Sequence, residues 1–452
     1  MLRFQGLRIA NLTKVFQVAV ILLVVLLFVI HLDLVETPSF NTPSATSLWD
    51  HVKSGNSTAP PAKAFPEMKP GNATLVAEAP LYVEAILRPE DTTFDRLECP
   101  TFNTSRYEYL RDPLRGKTQY NIFSAPKRQF FFALNLHENV PVLPRLLGSI
   151  IETIRFLGPD QSALSVIEGR STDGTYEILQ MLRGPLEEEE IPYYFNSSDK
   201  NPEEMDRIQM LAELRNEALE PLINNPNEWS NDATVIFLND VSLCMEDILE
   251  LVHQRIHLKA DMTCAMDWMD EGVETFYDVW VARDIKGDTF FQISDTGSWD
   301  SSGNLFWNNE ETLERYTNNK PFQVYACWNG GTAFTARPLL EQKIKFRRSA
   351  DGECFMGEPT VFCKEMWHIG YGKIAVVPTV NVEYTDENSR KIKKQKGTVS
   401  SHLVGNGTLS SQLHGEDDMI VWQGPPEKVK CAPNWSSQAW LPWNESLAKD
   451  LS

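Results

Sequence analysis

Apolar positions along this chain switch between two rhythms. "RQFFFALNL" (Arg128–Leu136) is an almost unbroken apolar run, as in a strand covered on both faces. After it, Leu143, Leu146, Leu147, Ile150, Ile151 and Ile154 share one helical stripe, which Gly158-Pro159 stops. The alternation then repeats. Ala163–Glu168 reads as a strand and "STDGTYEILQMLRG" (Ser171–Gly184) as a turn into a short helix. Met205–Leu222 is a helix, with Ile208, Leu211, Leu214, Ala218 and Leu222 on one side. Ala233–Leu238 is another strand and Met245–His257 another helix. Strands alternating with helices predict an α/β fold, a parallel sheet with helices on both faces. After Ala260 the order changes: Ala260–Trp268 and Tyr277–Asp284 both read as strands with no helix between them. The C-terminal half is therefore expected to add mixed strands and long loops.

The N-terminal pattern differs. Val15–Leu32 holds no Asp, Glu, Lys or Arg. At about 1.5 Å per residue such a helix reaches roughly 27 Å, the core of a thin bilayer. Arg3, Arg8 and Lys14 precede it and Asp33 and Glu36 follow, which predicts a cytoplasmic N-terminus and a lumenal body. A cleaved signal peptide is the competing reading, but this apolar run is longer than the usual one. Residues 33–80 are rich in Pro, Ser, Thr and Ala and read as a disordered stem. The expected organisation is a cytoplasmic tail 1–14, a transmembrane signal anchor 15–32, the stem 33–80, a lumenal catalytic body 81–423 and a C-terminal tail 424–452 that either wraps the body or hangs loose.

Composition narrows the function. The chain has 452 residues, 42% hydrophobic and 23% charged, with a net charge of -20. Nucleic acid is a poor partner for so acidic a chain. Sequons at Asn56, Asn72, Asn103, Asn196, Asn406, Asn434 and Asn444 all follow the anchor and fit the secretory pathway. The seven cysteines include no C-x-x-C pair, so up to three disulfides and one free thiol are expected rather than a zinc site. Cys354 and Cys363 are one possible pair.

Three stretches carry candidate chemistry. "VIFLNDV" ends a strand on Asn239-Asp240, at the strand edge where open α/β sheets bind ligands. Asp240 reads either as a ligand for a divalent metal or as a helix cap. "SVIEGRSTDGT" (Ser165–Thr175) places Glu168 at a strand end, able to accept hydrogen bonds from a nucleoside, with Asp173 in the turn or capping the next helix. Arg215 in "ELRNEAL" can pair a phosphate or form a surface salt bridge. Two other stretches are declined. "DTGS" (Asp295–Ser298) imitates an aspartic-protease signature, but no second copy supplies the paired carboxylate. "RKIKKQK" (Arg390–Lys396) reads as a solvated basic loop before it reads as a diphosphate clamp.

Together these stretches resemble the nucleotide-sugar half of GT-A glycosyltransferases. More closely, the chain resembles the fungal capsule-type α-1,3-mannosyltransferase family of cryptococcal yeasts, from about Leu81 to Thr385. The resemblance rests on "RLECP" (Arg96–Pro100), "STDGT" (Ser171–Thr175), "FLNDV" (Phe237–Val241), "CAMDW" with "YDVWVARD" (Cys264–Asp284), "CWNGGTAF" (Cys327–Phe334) and "GECFMGEPTVFCKEMW" (Gly352–Trp367). It implies a GT-A-like Rossmann-type mixed sheet flanked by helices, behind a Golgi (or ER) type II membrane anchor. It further implies transfer of mannose from GDP-mannose to a glycan hydroxyl in α-1,3 linkage, with retention and with Mn2+ or Mg2+. By position, Asp240 becomes the metal ligand, with Asn239 beside it. Glu168, Asp173 and Arg215 fall on nucleotide and diphosphate positions. Trp328, Asn329, Gly330 and Gly331 face donor sugar and acceptor. Glu358 lies on the acceptor side as a catalytic candidate, with Glu353 a weaker one; Asp267 and Asp278 either line the cleft as further catalytic candidates or are strand-end or hairpin acids. His368 and His402 are remote candidates for the metal shell. The Asn-Asp pair leaves one carboxylate where many relatives of the fold carry two. Use of another sugar nucleotide, or a non-catalytic carbohydrate-binding scaffold, are the alternatives.

Overall fold

The computed structural model describes residues 71–112, 127–201, 203–270, 274–405 and 419–447. The expected cytoplasmic tail, the anchor Val15–Leu32 and most of the stem lie outside these. Among the described residues no helix is long and apolar enough to cross a membrane.

The body is built on one large mixed sheet. Its strands are β1 (Arg128–Leu136), β2 (Ser162–Gly169), β3 (Tyr193–Ser198), β4 (Trp229–Leu238), β5 (Met262–Asp270), β6 (Glu274–Phe276), β7 (Arg283–Asp284), β8 (Phe322–Ala326), β9 (Gly331–Thr335) and β10 (Ile374–Val382). They lie in the order β3-β2-β1-β4-β9-β5-β10-β8-β7, with β6 beside β5. The first four are parallel, pairing Phe131 with Ala163 and with Val235. β9 runs antiparallel to both β4 and β5. It therefore carries the turn before it, Cys327–Gly330, to the carboxyl end of β4.

Alternation along β1 sends its side chains into two cores. Phe131 and Ala133 join a cluster with Leu214, Ala218 and Leu222 of the helix Arg207–Asn224. Phe130, Phe132 and Leu134 join one with Leu146, Leu147 and Ile150 of the helix Leu143–Leu157. Both faces are covered, which is why the strand reads as a continuous apolar run.

The structure differs from the sequence reading in the stem, in one strand and in one cysteine pair, and it decides between the two readings of the tail. A helix spans Ala73–Leu87, starting inside the expected stem, with the Asn72 side chain accepting from the Thr74 N–H. Pro80 within it hides the period, yet Val83 and Ile86 are buried where the helix packs on Leu143–Leu157. Of the expected strand Tyr277–Asp284, only Arg283–Asp284 is a strand. The chain turns at Asp278, whose carbonyl accepts from the Val281 and Ala282 N–H groups. Cys354 pairs with Cys431, not Cys363; the other disulfides are Cys99–Cys244 and Cys264–Cys327. Cys363 is a buried free thiol on the helix Glu358–His368, facing Met262 and the Cys327 carbonyl. The tail wraps the body, since the Cys431 bond and the hairpin of β11 (Lys428–Cys431) and β12 (Ala439–Pro442) fasten it.

Candidate active site

β4 stops at Leu238, and the polar Asn239-Asp240 that follows meets a turn rather than a strand. The Asn239 N–H donates to the Gly330 carbonyl at 2.9 Å, and its Oδ1 accepts from Trp328 Nε1 at 3.0 Å. Asp240 is half-buried, and Asn139 Nδ2 donates to its Oδ2 at 2.9 Å. Asp240 does not cap the following helix. That helix begins at Met245, and Asp247 Oδ2 accepts the Cys244 N–H at 2.8 Å instead.

The turn Ser171–Thr175 locks the loop that carries Asn139. Asp173 accepts from the Thr175 N–H at 2.9 Å and from the Val140 N–H at 3.0 Å. Thr175 Oγ1 accepts from the Asn139 N–H at 2.9 Å, and Glu138 accepts from the Thr172 N–H at 2.7 Å. The expected nucleotide role of Asp173 gives way to bracing, because both its oxygens are held by backbone. Glu168 is 1% exposed; its oxygens accept from the Ser171 N–H and from Ser197 Oγ. It too holds the loop rather than facing a ligand.

Arg215 comes from the helix Arg207–Asn224 and is buried. Its Nε donates to Glu358 Oε1 at 2.9 Å. The guanidinium carbon lies 4.3 Å from the Trp328 ring centroid and 5.1 Å from that of Phe237. Its Nη1 has no hydrogen-bond partner. Trp328 is therefore a platform for a cation, not the open sugar face expected of it, and Glu358 is buried at the first turn of its helix.

Asp278 accepts from the Asn329 N–H at 2.8 Å. Asn329 is fully buried and also donates from Nδ2 to the Ala265 carbonyl at 2.8 Å. Gly330 has φ 75°, and a Cβ there would sit 3.0 Å from Val382 and 3.2 Å from Asp267, so only glycine fits. Asp267 lies beneath, fully buried, accepting from Tyr384 Oη at 2.8 Å and from the Asp278 N–H at 3.3 Å. It was expected in the cleft. Out of reach of any substrate, it holds Asp278 in place. Burial pushes the Asp267 carboxyl well above the usual range, and the Asp278 charge adds to this. Burial also pushes Asp278 up to about 6.

Asp240, Asn239, Arg215, Asp278, Glu358 and Trp328 all line one cavity of about 510 Å³, open beyond the carboxyl ends of β1 and β4. The sequence reading singled out neither the two asparagines nor the three tryptophans that complete this site. Asn135 lines it with an unpartnered Oδ1, and Asn139 orients Asp240 from outside the lining; polar residues ending β1, the neighbour of β4, were the available signal. Trp280, Trp299 and Trp435 also line it; Trp280 lies in the quoted block "YDVWVARD", and no local pattern marks the other two. The other candidates are structural. Burial pushes the Glu353 carboxyl up, but hydrogen bonds from Arg347 and Lys364 overcome this and hold it down at about 2. The run Arg390–Lys396 is helical, with Arg390 pairing Asp95 and Glu98 and Lys393 pairing Asp247. His402 Nε2 bonds the Lys396 carbonyl, and among the described residues no three His, Cys, Asp or Glu side chains gather as a ready ligand set.

Comparison with known proteins places this arrangement. A family model described as cryptococcal mannosyltransferase 1 matches residues 129–365. The chain is 32% identical over 411 residues to alpha-1,3-mannosyltransferase CMT1 of Cryptococcus neoformans var. neoformans serotype D, covering 84% of this chain and 86% of that protein. Among solved structures it is similar to S. aureus TarS 1-349, at 13% identity and a TM-score of 0.34 over 57% of this chain and 60% of the other. It is similar also to mannosyltransferase PcManGT from Pyrobaculum calidifontis, solved with GDP-Man and Mn2+, at 13% identity and a TM-score of 0.34 over 69% of this chain and 65% of the other. Likeness that distant adds nothing to the sheet topology described above. The sequence match is decisive: the chain belongs to the cryptococcal mannosyltransferase family and is a glycosyltransferase.

Proposed function

We propose that this chain transfers mannose from GDP-mannose to a sugar hydroxyl in α-1,3 linkage, with retention at the anomeric carbon and a divalent cation. One observation carries the reading. The buried Arg215, its guanidinium stacked on Trp328 and its Nε held by Glu358, lines the same cavity as Asp240. A buried cation held on an aromatic face by Glu358 suits a diphosphate leaving group, because its position is set before the substrate arrives.

A divalent cation fits the same cavity. Asp240 supplies one oriented carboxylate, and Asn135 Oδ1 has no partner. Mg2+ in particular is usually held by one or two carboxylates together with phosphate oxygens and water. Bound there, the cation would neutralise charge gathering on the departing diphosphate. The Arg215 guanidinium pairs the diphosphate, and Glu358 fixes the guanidinium. Asp278 faces the reacting carbon and favours positive charge on it. The anomeric C–O bond to phosphate breaks and a C–O bond to the acceptor forms on the same face. The acceptor's proton passes to an oxygen of the departing GDP. On this reading Val15–Leu32 anchors the body in a Golgi or ER membrane, with the cavity lumenal.

The test is product analysis. The protein is incubated with GDP-mannose, Mn2+ and a mannoside acceptor, beside a panel of other sugar nucleotides. An α-1,3-mannosylated product formed from GDP-mannose alone is expected. Turnover of a different donor, or inverted product, overturns those parts of the proposal. Neither turnover nor donor binding favours a scaffold.

A further inference from the structure

We infer that the acceptor sugar is held by an indole wall completed by the C-terminal segment, with Trp435 and Trp299 as its stacking surfaces. This rests on the sugar-transfer reading above and names the part of the cavity that recognises the acceptor.

Trp435 lies well outside the residues 129–365 that the family model matches, yet it lines the same cavity as Arg215 and Asp240. Trp280 and Trp299 line it too, and all three indoles are half-buried.

The placement of Trp435 is built. Gly297 has φ 78°, and a Cβ there would stand 3.0 Å from Trp435 Cδ1, so a glycine lets the indole seat. Gln438 Nε2 donates to the Trp435 carbonyl at 2.8 Å and to the Ile293 carbonyl at 3.2 Å, tying the tail to the loop below Trp299. Trp280 Nε1 donates to the Ala432 carbonyl at 2.8 Å, and the Cys354–Cys431 disulfide fastens the same stretch.

Chemistry divides the cavity. A diphosphate needs cations and finds Arg215. Neutral indole surface offers it nothing. A pyranose has an apolar C–H face that an indole covers well and a rim of hydroxyls that Asp278, in the same cavity, accepts. The occupant assigned to the wall is the terminal pyranose of the acceptor glycan.

The test uses the full chain with Trp435→Ala, Trp299→Ala and Trp435→Phe. Acceptor KM is expected to rise about tenfold in each alanine variant, equivalent to 1.4 kcal/mol, while donor KM stays within about twofold. Trp435→Phe should recover most of the loss, since a ring suffices for stacking. Unchanged acceptor KM overturns the wall, and so does an equal rise in donor KM, which would mean general loosening of the site. Should Trp435→Ala fail to fold, Trp299→Ala and Trp435→Phe decide the matter. Calorimetric titration with the mannoside reads the wall without turnover. A wild-type chain that binds the mannoside through Trp435 but rejects GDP-mannose therefore keeps the wall and loses only the donor.

Discussion

The Arg215–Glu358 pair is the electrostatic centre of the site, and its coupling can be measured. The side chains are 8% and 3% exposed, with Nε and Oε1 2.9 Å apart. Arg215→Met keeps an apolar stem among Trp328, Phe237 and Phe346 but leaves the Glu358 carboxylate buried without its cation. Removing one member of a buried pair costs about 3–5 kcal/mol. Losing the cation 4.3 Å from the Trp328 ring centroid adds about 1 kcal/mol. Glu358→Gln keeps an acceptor for Nε but strands the guanidinium charge, at a cost of about 3 kcal/mol. In the double variant neither charge is buried alone, so the penalties do not add. A coupling of about 2–3 kcal/mol is expected. Urea unfolding of the wild type, both single variants and the double variant gives all four corners of the cycle. Costs that add to within about 0.5 kcal/mol refute the reasoning, because they mean neither group senses the other's charge.

Three further outcomes follow from the same geometry. Asp240→Asn should cut cation-stimulated transfer by at least about 100-fold while moving stability by less than about 1 kcal/mol, because the residue sits at a strand end outside the core; Mn2+ titrations and a urea melt check both. Burial raises Asp278 to about 6, against about 3.9 for an ordinary Asp, so the folded chain keeps a proton there that the unfolded chain has released. Stability contributed at this position is then present below about pH 4 and lost as pH rises to about 6; Asp278→Asn should flatten that part of the profile, read by denaturant unfolding at stepped pH. Gly330→Ala should cost about 2–3 kcal/mol, since φ 75° is strained for alanine and the new Cβ would meet Val382, Val241 and Asp267 at 3.0–3.2 Å; a urea midpoint equal to wild type would contradict this.

Much of the Rossmann-type half was legible beforehand. β1, β2, β4 and the helices Leu143–Leu157, Arg207–Asn224 and Met245–His257 all announce themselves by local period. Asp240, Arg215, Asp278 and Glu358 were named from sequence, and they share one cavity. The roles of Glu168, Asp173, Asp267 and Trp328 were not legible. Each is a polar or aromatic residue at a turn or strand end, and whether it faces ligand or protein depends on a partner far along the chain. Glu168 meets Ser197, and Trp328 meets Arg215.

Local pattern settles that β1, β2, β4 and the helices Leu143–Leu157, Arg207–Asn224 and Met245–His257 form, because burial on one or two faces imposes its own spacing on apolar residues. It also settles where β4 must stop, since Asn239 and Asp240 cannot continue an apolar run. Tertiary structure decides what that ending serves. β9 inserts antiparallel between β4 and β5 and brings the Trp328–Gly330 turn to Asn239. The Cys354–Cys431 bond carries Trp435 back to the same cavity. Contacts of that kind join residues about a hundred positions apart, and no local spacing records them, because their energy comes from surfaces that meet only once the sheet has formed.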